Sequence, residues 1–277
     1  DTFKDKIDIN KENNFGDTAF MLAAQYNTNE IVIQYLYDTF IDTIDINKKT
    51  KCGYTAFTFA AHFNANDKVI QFLYDKSKDT ININNKENDH YTLAVNYNTN
   101  DKVIKFLYNT FKDTFDINKQ RNNDDTASVQ YHPNSQVIQC SHAPWGKIEI
   151  KNDCNSFESC SCVVLMLAAH RNTNDEVMKF LCDMFKNTID INKLTRFNYT
   201  ALMLAAEYNT NEKVMQYLCD AFKNTININI RGGTGDTTAL MLAAQYNTNE
   251  KVVKYLCDTF KNKIDINAVN CYGDTAL

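Results

Sequence analysis

The decapeptide MLAAQYNTNE occurs twice in this 277-residue chain, at residues 21–30 and again at 241–250. A catalytic motif needs one copy, whereas an architecture of repeated modules reuses the same sequence. The period is given by the tetrad Ile-Asp-Ile-Asn, which recurs at steps of 37, 37, 34, 74, 37 and 38 residues. The tetrad or a close variant ends at Asn10, Asn47, Asn84, Asn118, Asn192, Asn229 and Asn267. The two decapeptides are therefore six modules apart.

The step of 74 residues is twice 37, which predicts one poorly matching copy between Asn118 and Asn192. The predicted modules are 11–47, 48–84, 85–118, 119–152 (degenerate), 153–192, 193–229 and 230–267, with partial modules at 1–10 and 268–277. Each module is a pair of helices too short to be stable alone, so we expect all of them to stack into a single domain over 1–277. Because both ends fall inside a module, we also expect further protein to flank this sequence.

The first complete module predicts two helices. Thr18 is the expected N-cap of a first helix of about nine residues. In the segment NTNE, Asn27 and Glu30 have the spacing of a capping box that would begin the second helix. Ala19, Leu22, Ala23 and Tyr26 recur at helical spacing in the first helix. Val32, Tyr35, Leu36 and Phe40 mark one face of the second helix.

The segment 236–277 resembles the ankyrin repeat, whose pattern is Gly-x-Thr-Pro-Leu-His-x-Ala-Ala, then Glu-Val-Val-x-Leu-Leu, then Ala-Asp-Val-Asn-Ala. The matching positions are Thr275-Ala276-Leu277, Ala243-Ala244, Val252-Val253 and Asp265-Ile266-Asn267-Ala268. Met241 replaces the family's His, which would remove a hydrogen-bonding side chain from the network between repeats, and Asn247 replaces a Gly. The resemblance covers nearly the whole chain. It implies an all-α fold, an ankyrin-type α-solenoid of stacked helix-turn-helix repeats with hairpin-like loops.

Ankyrin-like proteins bind other proteins through the tips of these loops and the concave face of the first helices, and they seldom catalyse reactions. The resemblance therefore implies a protein–protein interaction scaffold, with another protein as partner, no cofactor and no enzyme activity. Two alternatives stay open. One is a structural spacer for domains outside this sequence. The other is a zinc-stabilised module around 140–162, whose five possible ligands have a spacing that matches no standard zinc site: Cys140, His142, Cys154, Cys160 and Cys162.

Positions that vary between the modules are the candidates for recognition. The residue after each Ala-Ala pair varies and faces the groove in the family, and the next residue is aromatic in every module but one, where it is Arg171. The loop tips also vary. The predicted partner-binding residues are Phe15, Gln25, Tyr26, Tyr54, His62, Phe63, Arg196, Phe197, Glu207, Tyr208, Gln245 and Tyr246. Packing between modules would also explain the aromatic rings, and recent duplication would explain the unchanged segment NTN.

Charge and cysteine content limit the partner and the compartment. The net charge is −5, with acidic and basic residues interleaved, which argues against a nucleic-acid surface. No run approaches the ~18 apolar residues of a membrane span. Cys182, Cys219 and Cys257 share one position of successive modules, and stacked helices at about 8–10 Å are too far apart for a disulfide. We therefore expect buried thiols and an intracellular, cytoplasmic setting.

Overall fold

The computed structural model describes residues 6–51, 53–80, 94–95, 97–112, 160–195, 197–233 and 235–276. In this part of the chain we find helices and loops, with one antiparallel bridge between Gly232 and Thr237. The helices with described bounds are α1 (Ala19–Tyr26), α2 (Glu30–Thr39), α3 (Ala56–Phe63), α4 (Asp67–Ser77), α5 (Asp101–Phe111), α6 (Cys160–Arg171), α7 (Asp175–Phe185), α8 (Ala201–Tyr208), α9 (Glu212–Phe222), α10 (Ala239–Tyr246) and α11 (Glu250–Phe260). Residues 94, 95 and 97 are also helical. The predicted all-α repeat fold is confirmed.

The described residues form two compact units. The first holds the described residues up to 94 together with 102–112, and the second holds 95–101 and 160–276. In the first unit α1 packs on α3, and α2 packs on α4. In the second unit α8 packs against both α6 and α10, while α9 packs against both α7 and α11. First helices thus stack on first helices and second helices on second helices, which buries the apolar face that a single pair would leave in water.

A threonine begins four of the described first helices, as predicted for Thr18: these are Thr18, Thr55, Thr200 and Thr238. The backbone N–H of Met21 donates to Thr18 Oγ1 at 3.3 Å, and the N–H of Thr18 donates to Met21 Sδ at 3.5 Å. The same reciprocal pair recurs at Thr200 with Met203 and at Thr238 with Met241. The methionine that replaces the family's His therefore retains a local hydrogen bond, through its sulfur.

The turn between the two helices differs from the prediction by two residues. The N-cap of α2 is Asn29, whose Oδ1 accepts from the N–H of Ile31 at 3.1 Å, so the predicted capping box of Asn27 and Glu30 is wrong. Asn27 instead ends α1, and its Oδ1 accepts from the N–H of Asn29 at 2.9 Å. Asn therefore satisfies the exposed N–H groups of two successive turns, which a Gly could not do.

The structure buries Phe40 but does not bury every residue of either periodic set. Phe20, Met21, Ala24 and Gln25 are the buried residues of α1, and Ile33 is the buried residue of α2. Ala19, Tyr26 and Tyr35 are exposed. Both faces of α1 are apolar, so the helical period alone could not select the one that contacts α3.

A ladder of asparagine side chains joins each first helix to the one before it. Asn209 Nδ2 donates to the carbonyl oxygens of Ala169 at 3.1 Å and of Asn172 at 3.0 Å. Asn64 makes the same two bonds to Ala24 and Asn27, and Asn247 makes them to Ala206 and Asn209. The first Asn of the NTN segment thus bonds one module to another, which gives a structural reason for its repetition.

The ladder also connects two modules that are not adjacent in sequence. Asn172 Nδ2 donates to the carbonyl oxygens of Val95 at 2.9 Å and of Asn98 at 3.0 Å, and Asn174 Nδ2 donates to that of Thr99 at 2.6 Å. These are the bonds that neighbouring modules make elsewhere, at a separation of 74 instead of 37 residues. Within the second unit, residues 172–174 therefore bond directly to residues 95–99. Residues 119–152, predicted as an intervening degenerate module, lie outside the described residues.

The Asn that ends each Ile-Asp-Ile-Asn tetrad forms a third set of bonds between modules. Asn229 Nδ2 donates to the carbonyl oxygen of Lys263 at 2.7 Å, and its Oδ1 accepts from the N–H of Asp265 at 2.8 Å. Asn192 does the same with Thr225 and Asn227. The tetrad and NTN therefore fix opposite ends of each module against its neighbour.

Candidate functional site

Aromatic side chains end the first helices, and they remain on the surface after the modules have stacked. We define the aromatic row as Tyr26 and Phe63 in the first unit, and Tyr97, Tyr208 and Tyr246 in the second. The exposed fraction of these side chains ranges from 38% to 65%. Each ring precedes an Asn that forms a hydrogen bond with a neighbouring module. The row therefore presents partly desolvated rings from a rigid support.

The position before each ring is less uniform than the sequence implied. Gln25, His62 and His170 are buried, Glu207 is half-buried, and Gln245 is exposed. The ring of His62 lies edge-on to Tyr54 and to Phe63, with centroids 5.5 Å apart in both pairs. In the first unit, the buried ring of His62 therefore packs against Phe63, the exposed ring that follows it.

In the second unit, one step of the row is polar and charged. The centroids of His170 and Tyr208 are 4.5 Å apart at an interplanar angle of 83°, so the two rings pack edge to face. Arg171 Nε donates to His170 Nδ1 at 3.2 Å. Burial, together with the Arg171 charge, lowers the pKa of His170 from 6.5 to about 4, so this imidazole is neutral at pH 7. Because Arg171 can only donate, the remaining proton of His170 is assigned to Nε2.

The other polar group at this step is Glu207. Burial first, and the neighbouring Glu207 carboxylate second, raise the pKa of Tyr208 well above its ordinary value, so the phenol stays protonated. Glu207 Oε2 is buried and has no hydrogen-bond partner in the described part of the chain. Packing between modules thus accounts for one edge of Tyr208, while 44% of its side chain remains exposed.

The loop tips form a second set of exposed side chains. Phe197 and Tyr272 are exposed at the tips of the second unit, and Phe15 and Tyr54 are half-exposed in the first. Arg196 lies outside the described residues. Backbone bonds join successive tips: the N–H of Lys51 donates to the carbonyl oxygen of Phe15 at 3.4 Å, and that of Cys271 donates to Gly235 at 2.9 Å. The tips are therefore aligned by the backbone, and their side chains are left to vary.

The shared cysteine position is a core position, as predicted. Cys182 and Cys219 are buried, Cys257 is half-buried, and all three are free thiols. Burial raises the pKa of the Cys182 thiol to about 12 and raises that of Cys219 further. These thiols are therefore protonated and unreactive at neutral pH.

The predicted zinc ligands around 140–162 fall outside the described side chains. Among the side chains that are described, no group of three or more His, Cys, Asp or Glu residues could hold a metal ion. A search of the described helices also finds none that is both long and apolar enough to cross a membrane.

Stacked pairs of short helices define a helical-repeat fold. Comparison with known families identifies the type of repeat. The family model for three copies of the ankyrin repeat matches residues 3–87 and 130–232, and that for one ankyrin repeat matches 236–271. The chain belongs to the ankyrin-repeat family, whose members are in general non-enzymatic modules for protein–protein interaction. No curated protein matches the chain.

Proposed function

We propose that this protein is an interaction scaffold that binds another protein through the aromatic row and the loop tips. The observation that carries the proposal is the aromatic row itself. Each of the five rings is 38–65% exposed, although the Asn that follows it is bonded to a neighbouring module. Tyrosine is enriched among the residues that dominate binding energy at protein interfaces.

The packing beneath the row supports the same proposal. Each interface between first helices is fixed by two asparagine bonds, and a third bond joins the adjacent turn, for example from Asn211 Nδ2 to the carbonyl oxygen of Thr173 at 2.8 Å. A surface held in this way loses little conformational entropy when a partner binds, so more of the contact energy appears as affinity.

We further propose that the modules make up one repeat domain, and that the protein works in a reducing, cytoplasmic setting. The free, buried thiols of Cys182 and Cys219 support that setting, because a secreted protein with many cysteines would pair them. Neither nucleic acid nor a membrane is proposed as the partner, since the net charge is −5 and both signs are interleaved.

The test compares two sets of tyrosines in proximity labelling of the protein in its native cell. The row variant carries Tyr26→Ala, Tyr208→Ala and Tyr246→Ala. The matched control is Tyr35→Ala, because Tyr35 on α2 is 67% exposed and Tyr26 on α1 is 65% exposed. We expect the row variant to lose labelled proteins that the control retains, with unchanged helix content by circular dichroism. If both variants keep every labelled protein, the spacer alternative replaces the binding proposal.

A further inference from the structure

The aromatic row of the second unit contains one cation. Arg171 ends α6 at the position that Tyr208 and Tyr246 occupy in the next two modules and that Tyr97 occupies in the module stacked before it. A positive charge replaces a ring there, so this step of the row cannot recognise a partner in the same way as its neighbours.

The guanidinium of Arg171 is oriented but not neutralised. Its Nε donates to His170 Nδ1 at 3.2 Å, and His170 is itself held edge-on against the ring of Tyr208. In the described part of the chain, no carboxylate lies within ion-pair distance of Arg171, although seven other ion pairs occur there. With Nε engaged, the two Nη groups remain available to a planar acceptor.

From this geometry we infer that the second unit recognises a peptide segment with an acidic side chain, whose carboxylate pairs with the Nη groups of Arg171 while flanking residues pack on Tyr97 and Tyr208. A carboxylate matches the planar guanidinium with two parallel hydrogen bonds. A phosphate group is usually bound by several arginines, and this step of the row supplies one described cation. The inference rests on the proposed function and names the class of partner for its central step.

The side chains around Arg171 favour binding of a single carboxylate. His170 stays neutral at pH 7 and adds no second charge, so it acts as a support that fixes the arginine side chain. Tyr97 and Tyr208 are about half exposed, and their rings can cover the ion pair and reduce its contact with water. His170 is therefore a positioning residue, Tyr97 and Tyr208 contact the flanking residues of the peptide, and Arg171 contacts the carboxylate.

The experiment is selection from a phage-displayed library of random 12-residue peptides on the whole chain. We expect selected peptides to share one Asp or Glu flanked by apolar residues. Arg171→Gln should weaken binding of a selected peptide about 10- to 100-fold, the range for loss of a hydrogen bond to a charged group. The control Lys179→Gln removes the same charge from α7 of the same module, where Lys179 lies 3.9 Å from Glu176, and should change the Kd less than twofold.

A double-mutant cycle measures the interaction between Arg171 and the acidic residue of the peptide. Replacing the acidic residue of the peptide by its amide should weaken binding to the wild-type protein. The same replacement should have little further effect on the affinity for the Arg171→Gln variant. Peptides without an acidic preference, or equal weakening by Arg171→Gln and Lys179→Gln, would overturn the inference and leave the proposed function standing. Failure of the proposed function gives a different result: the Tyr208→Ala, Tyr246→Ala double variant would then select the same peptides as the wild type. Circular dichroism of each variant confirms that it is folded.

Discussion

The asparagine ladder makes a quantitative prediction because the chain carries the same decapeptide in two environments. Asn247 and Asn27 occupy the same position of MLAAQYNTNE. Asn247 Nδ2 donates to the carbonyl oxygens of Ala206 at 2.8 Å and of Asn209 at 3.0 Å, whereas Asn27 Nδ2 has no acceptor among the described residues. Both side chains accept one local bond through Oδ1, at 2.9 Å in each case. The two sites differ only in the bonds to a neighbouring module.

Replacing each Asn by Asp separates these contributions. Asp keeps the shape and the local acceptor but removes the two donors, so Asn247→Asp loses two hydrogen bonds worth about 1 kcal/mol each. It also places an oxygen opposite two carbonyl oxygens, which brings the expected loss in the free energy of unfolding to about 2–4 kcal/mol. Asn27→Asp should change it by less than about 0.5 kcal/mol, as for most surface substitutions.

Urea unfolding followed by circular dichroism measures both variants against the wild type, with the slope of the transition as a check that the same surface is exposed. Each variant is assigned to the transition that it shifts, since the residues lie in different compact units. Equal losses at the two sites would refute the reasoning, because Asn would then act only within its own turn.

Three further outcomes follow from burial and steric contact. His170 has a pKa of about 4 in the folded chain against 6.5 when unfolded, so the free energy of unfolding should fall as the pH drops from about 6.5 toward 4. His170→Gln, which introduces the residue found at Gln245, should reduce this pH dependence in urea unfolding measured at each pH. An unchanged pH dependence in the variant would contradict the prediction. Iodoacetamide at pH 8 should modify the exposed Cys271 in the native protein, but it should modify the buried Cys182 and Cys219 only in urea, as measured by peptide mass spectrometry. Rapid modification of Cys182 in the native protein would contradict its burial. A Cβ at Gly232 would lie 1.8 Å from the carbonyl oxygen of Asn198, so Gly232→Ala should lower the free energy of unfolding by about 1–3 kcal/mol, and an unchanged urea midpoint would contradict this.

Much of the local structure could be predicted because it depends on neighbouring residues. Thr18 begins α1 as expected, since its hydroxyl accepts a bond from a residue three positions along the chain. The period of about 37 residues predicted the helix pairs, because each pair must be covered by an equivalent one. The motif positions in residues 236–277 indicated the ankyrin type. The shared position of Cys182 and Cys219 predicted core thiols, since stacked helices keep equivalent side chains too far apart to bond.

The stacked structure decided what a local pattern leaves open. Either face of α1 is apolar enough to be buried, and contact with α3 selected the one that contains Met21 and Ala24. The asparagines of NTN act on the preceding module, so their role could not be read from spacing within one copy. The bonds from Asn172 to Val95 and Asn98 likewise depend on which modules meet in space. The sequence by itself determined the repeat and its helices, because these follow from short-range capping and from periodic apolar residues, and its motif positions indicated the family. Only the tertiary structure determined which faces are buried, which segments adjoin and which rings stay exposed, because those depend on contacts between residues 33 or more positions apart.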